Sequence, residues 1–276
     1  MRIFAFADEA NSAIDKQIEA MVRNNLQGLE IRGVDGKNVS DIPLEKAREV
    51  RTKMDDAGLV TWSIGSPIGK IDIVNADFNL HVEKFKHTLE VADVLGAGNI
   101  RMFSFFIPQG EDPAIYRSKV LDQLNVLVET AKGTGIDLCH ENEKGIYGDI
   151  ASRCADIHKE IPELKAVFDP ANFIQCGQDT WEAWLELKQW VKYMHIKDAL
   201  ADGNVVPAGK GIGNLPAILK EYAGFGDALT LEPHLTVFAG LKDLEREGDT
   251  SKVGQYVYPN SDAAFDAACD ALKEII

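Results

Sequence analysis

Four short β-rich segments in the second half of the chain each end in a residue able to bind a cation or carry a proton. They read Leu138-Cys-His-Glu-Asn-Glu143, Val167-Phe-Asp-Pro170, Tyr193-Met-His-Ile-Lys-Asp198 and Leu229-Thr-Leu-Glu-Pro-His234. The strong ligands among them are Glu141, Asp169, His195 and Glu232. Three carboxylates gathered at one point repel one another and raise their own pKa values, so a divalent cation is the economical counter-charge. Three anionic oxygens and one neutral imidazole, with positions left for substrate, favour Mn²⁺; Mg²⁺, Co²⁺ and Zn²⁺ also suit the set. Taken singly, an acidic residue at a strand end is better read as a cap for the next helix. Four on consecutive strands outweigh that reading.

The elements that must position these groups recur with a simple rhythm. Strands are expected near Arg2–Ala7, Leu29–Arg32, Val60–Ile64, Asn99–Phe105, Asp137–Asn142, Lys165–Asp169, Val191–Lys197 and Ala228–Glu232. Between and after them lie amphipathic stretches at helical spacing: Ser12–Asn25, Pro43–Ala57, Phe78–Leu95, Ala114–Lys132, Ile150–Glu160, Thr180–Lys188, Leu215–Tyr222 and Asp262–Ile276. Eight strand–helix repeats without a low-complexity linker predict an α/β chain folded as one domain, residues 1–276, in a (β/α)8 TIM barrel. An open doubly wound sheet is the alternative. No GxGxxG follows the first strand, and Gly209-Lys-Gly-Ile-Gly213 lacks phosphate-loop spacing.

In such a barrel the chemistry sits at the C-terminal ends of the strands, and side chains alternate in and out. Glu141, Asp169, His195 and Glu232 can therefore converge above one mouth. His140 alternates away toward the helices, whereas His234 shares the parity of Glu232 and is placed beside substrate or metal. His81, His87 and His158, on expected helices, are read as solvated. Glu30, Arg32, Lys70, Arg101, Lys197 and Lys210 form a candidate polar and partly basic wall for an anionic or densely hydroxylated substrate. A carbonyl next to a hydroxyl-bearing carbon can chelate one metal through both oxygens, which stabilises the enediolate formed on deprotonation. Glu141 and Glu232 are the expected proton-transfer pair, with Asp169 and His195 primarily ligands.

Composition narrows the partners. The 276 residues carry 29 Lys+Arg against 44 Asp+Glu, a net charge of −15. That field disfavours nucleic acid and anionic membranes. An apolar content of 45% belongs to a chain with a sizeable core. No apolar run approaches the roughly 18 residues of a membrane span, and MRIFAFADEA is too soon acidic for a signal peptide, so a cytoplasmic protein is expected. Four cysteines without CxxC spacing read as reduced thiols.

Glu141, "FDPAN" with Asp169, "MHIKDA" with His195 and "TLEPH" with Glu232 together resemble the xylose isomerase-like TIM-barrel superfamily. The likeness is strongest to its sugar phosphate isomerase/epimerase group, with ketose 3-epimerases and inosose-processing enzymes. The intervals from Asp169 to His195 and from His195 to Glu232 are also close to the family's. The resemblance implies one divalent metal held by these four residues, with both glutamates handling protons on a small carbohydrate, and a barrel of a kind that often associates into homo-oligomers. Three family features differ: Asn172 stands where a His is common, and is counted here with the substrate-facing residues, and the Arg that ketose 3-epimerases carry a few residues beyond the strand-seven His is missing. The Gly-Glu-Gly turn after strand seven reads Gly209-Lys210-Gly211. The expected activity is a metal-dependent sugar isomerase or epimerase. The rival is a metal-dependent lyase or dehydratase acting on an inosose or keto-glycoside. A DNA-repair endonuclease would need more His ligands and a basic face, and a non-enzymatic sugar-binding protein is the last alternative.

Overall fold

The computed structural model describes residues 1–238 and 256–276. Eight strands close into a parallel barrel in chain order: β1 (Arg2–Ala5), β2 (Gly28–Ile31), β3 (Val60–Gly65), β4 (Asn99–Met102), β5 (Asp137–Glu141), β6 (Lys165–Phe168), β7 (Val191–Ile196) and β8 (Ala228–Leu231). β8 returns to β1 with Arg2 opposite Ala228 and Ala5 opposite Leu231. Outside lie α1 (Ile14–Arg23), α2 (Leu44–Asp56), α3 (Phe78–Leu95), α4 (Arg117–Ala131), α5 (Ala151–Glu160), α6 (Pro170–Gln175), α7 (Thr180–Leu187), α8 (Leu215–Tyr222) and α9 (Ser261–Lys273). This is the expected (β/α)8 barrel. No described helix is long and apolar enough to cross a membrane.

Local rules set most boundaries. Asp77 caps α3 by accepting from the Asn79 and Leu80 amides, and Gly96 ends it at φ 71°, a left-handed turn that a Cβ disfavours. The expected helix from Ala114 instead starts with a 3₁₀ turn, Pro113–Tyr116, before α4. On α1 the apolar Val22 is 55% exposed while the polar Gln17 is buried, its amide donating to Gly33 O at 3.0 Å. The helix α6 was not expected, nor were the short hairpins Gly33–Val34/Lys37–Asn38 and Asp198–Ala199/Val205–Val206.

Alternation divides the core in two. Leu29, Ile31, Met194, Ile196, Leu229 and Leu231 face the helix layer. Phe4, Cys139, Val167, Tyr193 and Ala228, with Trp62, fill the barrel interior, where Phe4 and Trp62 stack at 5.0 Å. All four cysteines are free.

Two histidines expected in solvent are buried, because their helix faces turn toward the barrel. The Gly69 amide donates to His81 Nε2 at 2.8 Å. His158 Nδ1 donates to Leu164 O at 3.0 Å and its ring stacks on Trp190. His87 is half-buried against Ile42 O, and His140 faces the helix layer as alternation requires, bonded to Ser104 Oγ and edge-on to His158. Burial lowers both His81 and His158 from the usual 6.5 to about 4. The unfolded chain therefore binds more protons between those limits, so stability is full above about pH 6.5 and falls as the pH drops toward 4. Each histidine is expected to remove about 1.4 kcal/mol per pH unit in that window. Urea unfolding at pH 7 and pH 5 checks this: His158→Gln should flatten the slope by about one proton's worth, and an unchanged slope would refute it.

Candidate active site

The four strand-end ligands come together. Glu141, Asp169, His195 and Glu232 are all buried, and one ligand atom of each lies within 4.8 Å of the other three. His195 Nδ1 is 3.0 Å from Glu141 Oε1 and 3.4 Å from Glu232 Oε2. Asp169 serves two ends at once. Its Oδ1 caps α6 by accepting from the Asn172 amide at 2.9 Å, while Oδ2 turns into the cluster, 2.9 Å from Lys197 Nζ. One oxygen of Asp169 thus caps the helix while the other is left to the cluster. Pro170 at the first position of α6 fixes the turn that separates the two oxygens.

The cations expected as a substrate wall are mostly bound to these carboxylates. Lys197 Nζ also lies 3.1 Å from Glu232 Oε2. Arg101 donates to Glu141 Oε2 at 3.0 Å and to Ser66 O at 3.3 Å. Arg32 donates to Glu232 Oε1 at 3.0 Å, to Glu9 Oε1 at 3.0 Å and, with two nitrogens, to both oxygens of Asp8. Its guanidinium lies over Phe6 and Phe238, 4.4 and 5.0 Å from the ring centroids. Lys70 pairs with Glu143 at 3.0 Å and sits 4.4 Å from the Phe103 centroid. Asn172 braces Glu141, donating to its Oε1 at 3.2 Å and to Asn142 O at 2.9 Å.

Two expected wall residues stand elsewhere. Glu30 is fully buried beneath His195, its Oε2 3.1 Å from Nε2. Lys210 is exposed on the loop after β7, outside the cluster. That loop is gathered by Asp198, whose Oδ2 accepts from the Gly209 and Gly211 amides at 2.9 and 3.0 Å and whose Oδ1 accepts from those of Ala199 and Gly213, each at 2.9 Å. A Cβ on Gly211 would lie 2.3 Å from Ala199 O and from Asp198 Oδ1, so only glycine allows the approach. His234, at φ 45°, donates its amide to Glu9 Oε2, and its Nε2 lies 3.3 Å from Glu9 and 3.4 Å from Glu232.

Asp8, Glu9, Asn142 and Asp198 were not singled out in the sequence. Asp8 and Glu9 follow the first strand directly, so the strand-end rule used for the last four strands would have found them.

Charge and burial oppose each other throughout. Burial alone would lower the His195 pKa, but Glu141 and Glu30 outweigh it and raise it well above the usual value. Burial would raise Glu141 and Glu232; the His195 and Arg101 charges hold the first down, and Lys197, His234 and His195 the second. At Asp169 burial wins over Lys197, and its pKa rises. Burial also raises Glu9 to about 8 against the pull of Arg32. Glu141 and Glu232 thus sit ready as anions, and Asp169 Oδ2 is a buried oxygen with no well-aligned hydrogen-bond donor. Three carboxylates and an imidazole converging this closely fit one divalent cation.

Comparison with known proteins agrees with this architecture. The family described as xylose isomerase-like TIM barrel matches residues 18–248. Among curated proteins none matches the sequence. The structure is similar to that of IolI with a bound zinc atom (17% identity, TM-score 0.76, covering 100% of this chain and 98% of that one). It is also similar to the probable 3-DHS dehydratase AsbF of petrobactin synthesis from Bacillus anthracis (17% identity, TM-score 0.74, 99% and 98% covered). A third similar structure is a D-psicose 3-epimerase in the presence of D-fructose (16% identity, TM-score 0.72, 99% and 98% covered). At these identities the structural likeness speaks for the fold, and the family match for membership: the chain belongs to the xylose isomerase-like TIM barrel family.

Proposed function

We propose that the protein is a divalent-metal-dependent isomerase or epimerase of a small sugar or sugar derivative. The observation that carries this reading is the approach of Glu141 and Glu232 to one imidazole nitrogen from strand ends three strands apart around the barrel. Glu141, Asp169, His195 and Glu232 would hold the metal, with Mn²⁺ the best match to the donor set. When bound, the metal supplies Lewis acidity toward a carbonyl and its neighbouring hydroxyl. Glu141 and Glu232 then face a bound sugar from two sides: one takes the carbon-bound proton and the other returns one to the opposite face, which inverts that carbon. Arg101 keeps Glu141 ionised between turnovers, and Arg32 and Lys197 do the same for Glu232. Burial of the whole cluster keeps bulk water from competing for the carbanionic species. Similar structures described as D-psicose 3-epimerase and L-ribulose 3-epimerase support the reading.

One observation favours a second reading, a dehydratase or lyase. The Lys197 ammonium lies within 3.1 Å of both Asp169 and Glu232, where it can hydrogen-bond a departing β-hydroxyl. Glu232 takes the C–H proton and passes it to that hydroxyl, which leaves as water as the C=C bond forms. The similar structure described as a probable dehydratase supports this branch.

The test is proton NMR in D2O after Mn²⁺ loading, with a panel of ketoses, aldoses, keto-inositols and keto-glycosides. The expected result is deuterium at a single carbon of product with the formula otherwise unchanged, abolished by chelator and restored by Mn²⁺. Loss of water or of an aglycone selects the lyase. Neither exchange nor elimination with a metal-loaded protein across the panel would sink both readings.

A further inference from the structure

Glu30 occupies the layer of the barrel directly beneath the ligand cluster. It is fully buried, and its two oxygens meet three partners. Oε2 faces His195 Nε2 at 3.1 Å, while Oε1 accepts from Tyr193 Oη at 2.8 Å and from Ser63 Oγ at 3.3 Å. The two hydroxyls are themselves 3.1 Å apart. The backbone dictates this meeting. Tyr193 and His195 are two residues apart on β7 and so share its interior face, and Glu30 pairs in register with Ser63 across β2 and β3. The edge of the His195 ring is closed in by Phe6 and Tyr193, at centroid distances of 5.2 and 5.6 Å.

An imidazole between two sets of acceptors can present either nitrogen upward, and only one orientation leaves a lone pair for a cation. An outer carboxylate that accepts a hydrogen bond from the far N–H fixes the tautomer and makes the near nitrogen a better ligand. We propose that Glu30 is the positioning residue for His195: it holds the proton on Nε2 and leaves Nδ1 free, beside Glu141 and Glu232, as the metal-binding atom. Ser63 and Tyr193 in turn hold Glu30, so the relay runs Ser63 and Tyr193 to Glu30 to His195. This rests on the metal-dependent reading above and extends it one layer deeper, to a side chain fully buried beneath the cluster.

Glu30→Gln tests the proposal in the full-length chain, because the amide keeps the shape and removes the charge. Mn²⁺ affinity, read by EPR titration, is expected to weaken about ten- to hundredfold. In Mg²⁺-loaded protein the ¹H–¹⁵N signal of the His195 Nε2–H should lie far downfield in the wild type, as a hydrogen bond to a carboxylate requires, and move upfield in the variant. Ser63→Ala/Tyr193→Phe retains the carboxylate but loosens it, and should give a smaller weakening in the same direction; it is the deciding variant if Glu30→Gln does not fold. Unchanged Mn²⁺ affinity with an unchanged Nε2–H signal in the deciding variant overturns the proposal, even if its thermal stability drops. A wild type that binds no Mn²⁺ overturns the metal reading and this one with it. A wild type that binds normally beside equally competent variants overturns only the role of Glu30.

Discussion

Glu232→Gln is expected to stop proton exchange while leaving the protein folded and able to bind metal. The substitution is nearly isosteric, and the surrounding charges keep other partners: Arg32 retains Asp8 and Glu9, and Lys197 retains Asp169. Glu141, Asp169 and His195 remain as ligands, with an amide oxygen in the fourth place. What disappears is a basic oxygen able to take a carbon-bound proton. A positioned general base contributes about 10²- to 10⁴-fold, so deuterium wash-in under single-turnover conditions should fall by that factor. Exchange within twofold of the wild type would remove Glu232 from the chemistry. A non-catalytic sugar binder would have no exchange to lose, so the same variant also separates an enzyme from a binding protein.

Arg32→Met should have the largest effect on stability. Arg32 is 3% exposed and joins Asp8, Glu9 and Glu232, which are themselves buried. Methionine fills the volume and leaves three carboxylates without their common counter-charge. Removing one partner of a buried ion pair costs about 3–5 kcal/mol, because the desolvated charge stays behind. For a chain of this size that lowers Tm by about 10 °C. Adding Asp8→Asn to Arg32→Met should recover part of the loss, since it removes the carboxylate that Arg32 meets with two nitrogens. A Tm within about 2 °C of the wild type would show that water or a rearranged side chain replaces the guanidinium.

The parts of this molecule legible in the sequence were those governed by short periods. Alternation along β5 and β7 correctly sends Glu141 and His195 inward and His140 outward, because a strand of four to six residues has only two faces. Helix faces were less legible. Polar His81, His158 and Gln17 lie on the buried sides of α3, α5 and α1, where hydrogen bonds to backbone make burial tolerable. The six-residue α6 is too short to show a helical period, and only Pro170 after Asp169 announces it. Which cation meets which carboxylate was not legible at all. Arg32 reaches Glu232 only because closing the barrel sets β8 beside β1 and β1 beside β2, a pairing across most of the chain that no local pattern encodes.

Asp198 grips its loop through main-chain amides alone, and this separates the loop's shape from the identity of its side chains. Lys210 and Ile212 alternate with the anchored glycines and project outward. Relatives diverging at those two positions would keep the same rim contour while presenting a different surface to incoming molecules, which makes the pair a natural entry point for directed evolution of selectivity without disturbing the scaffold below.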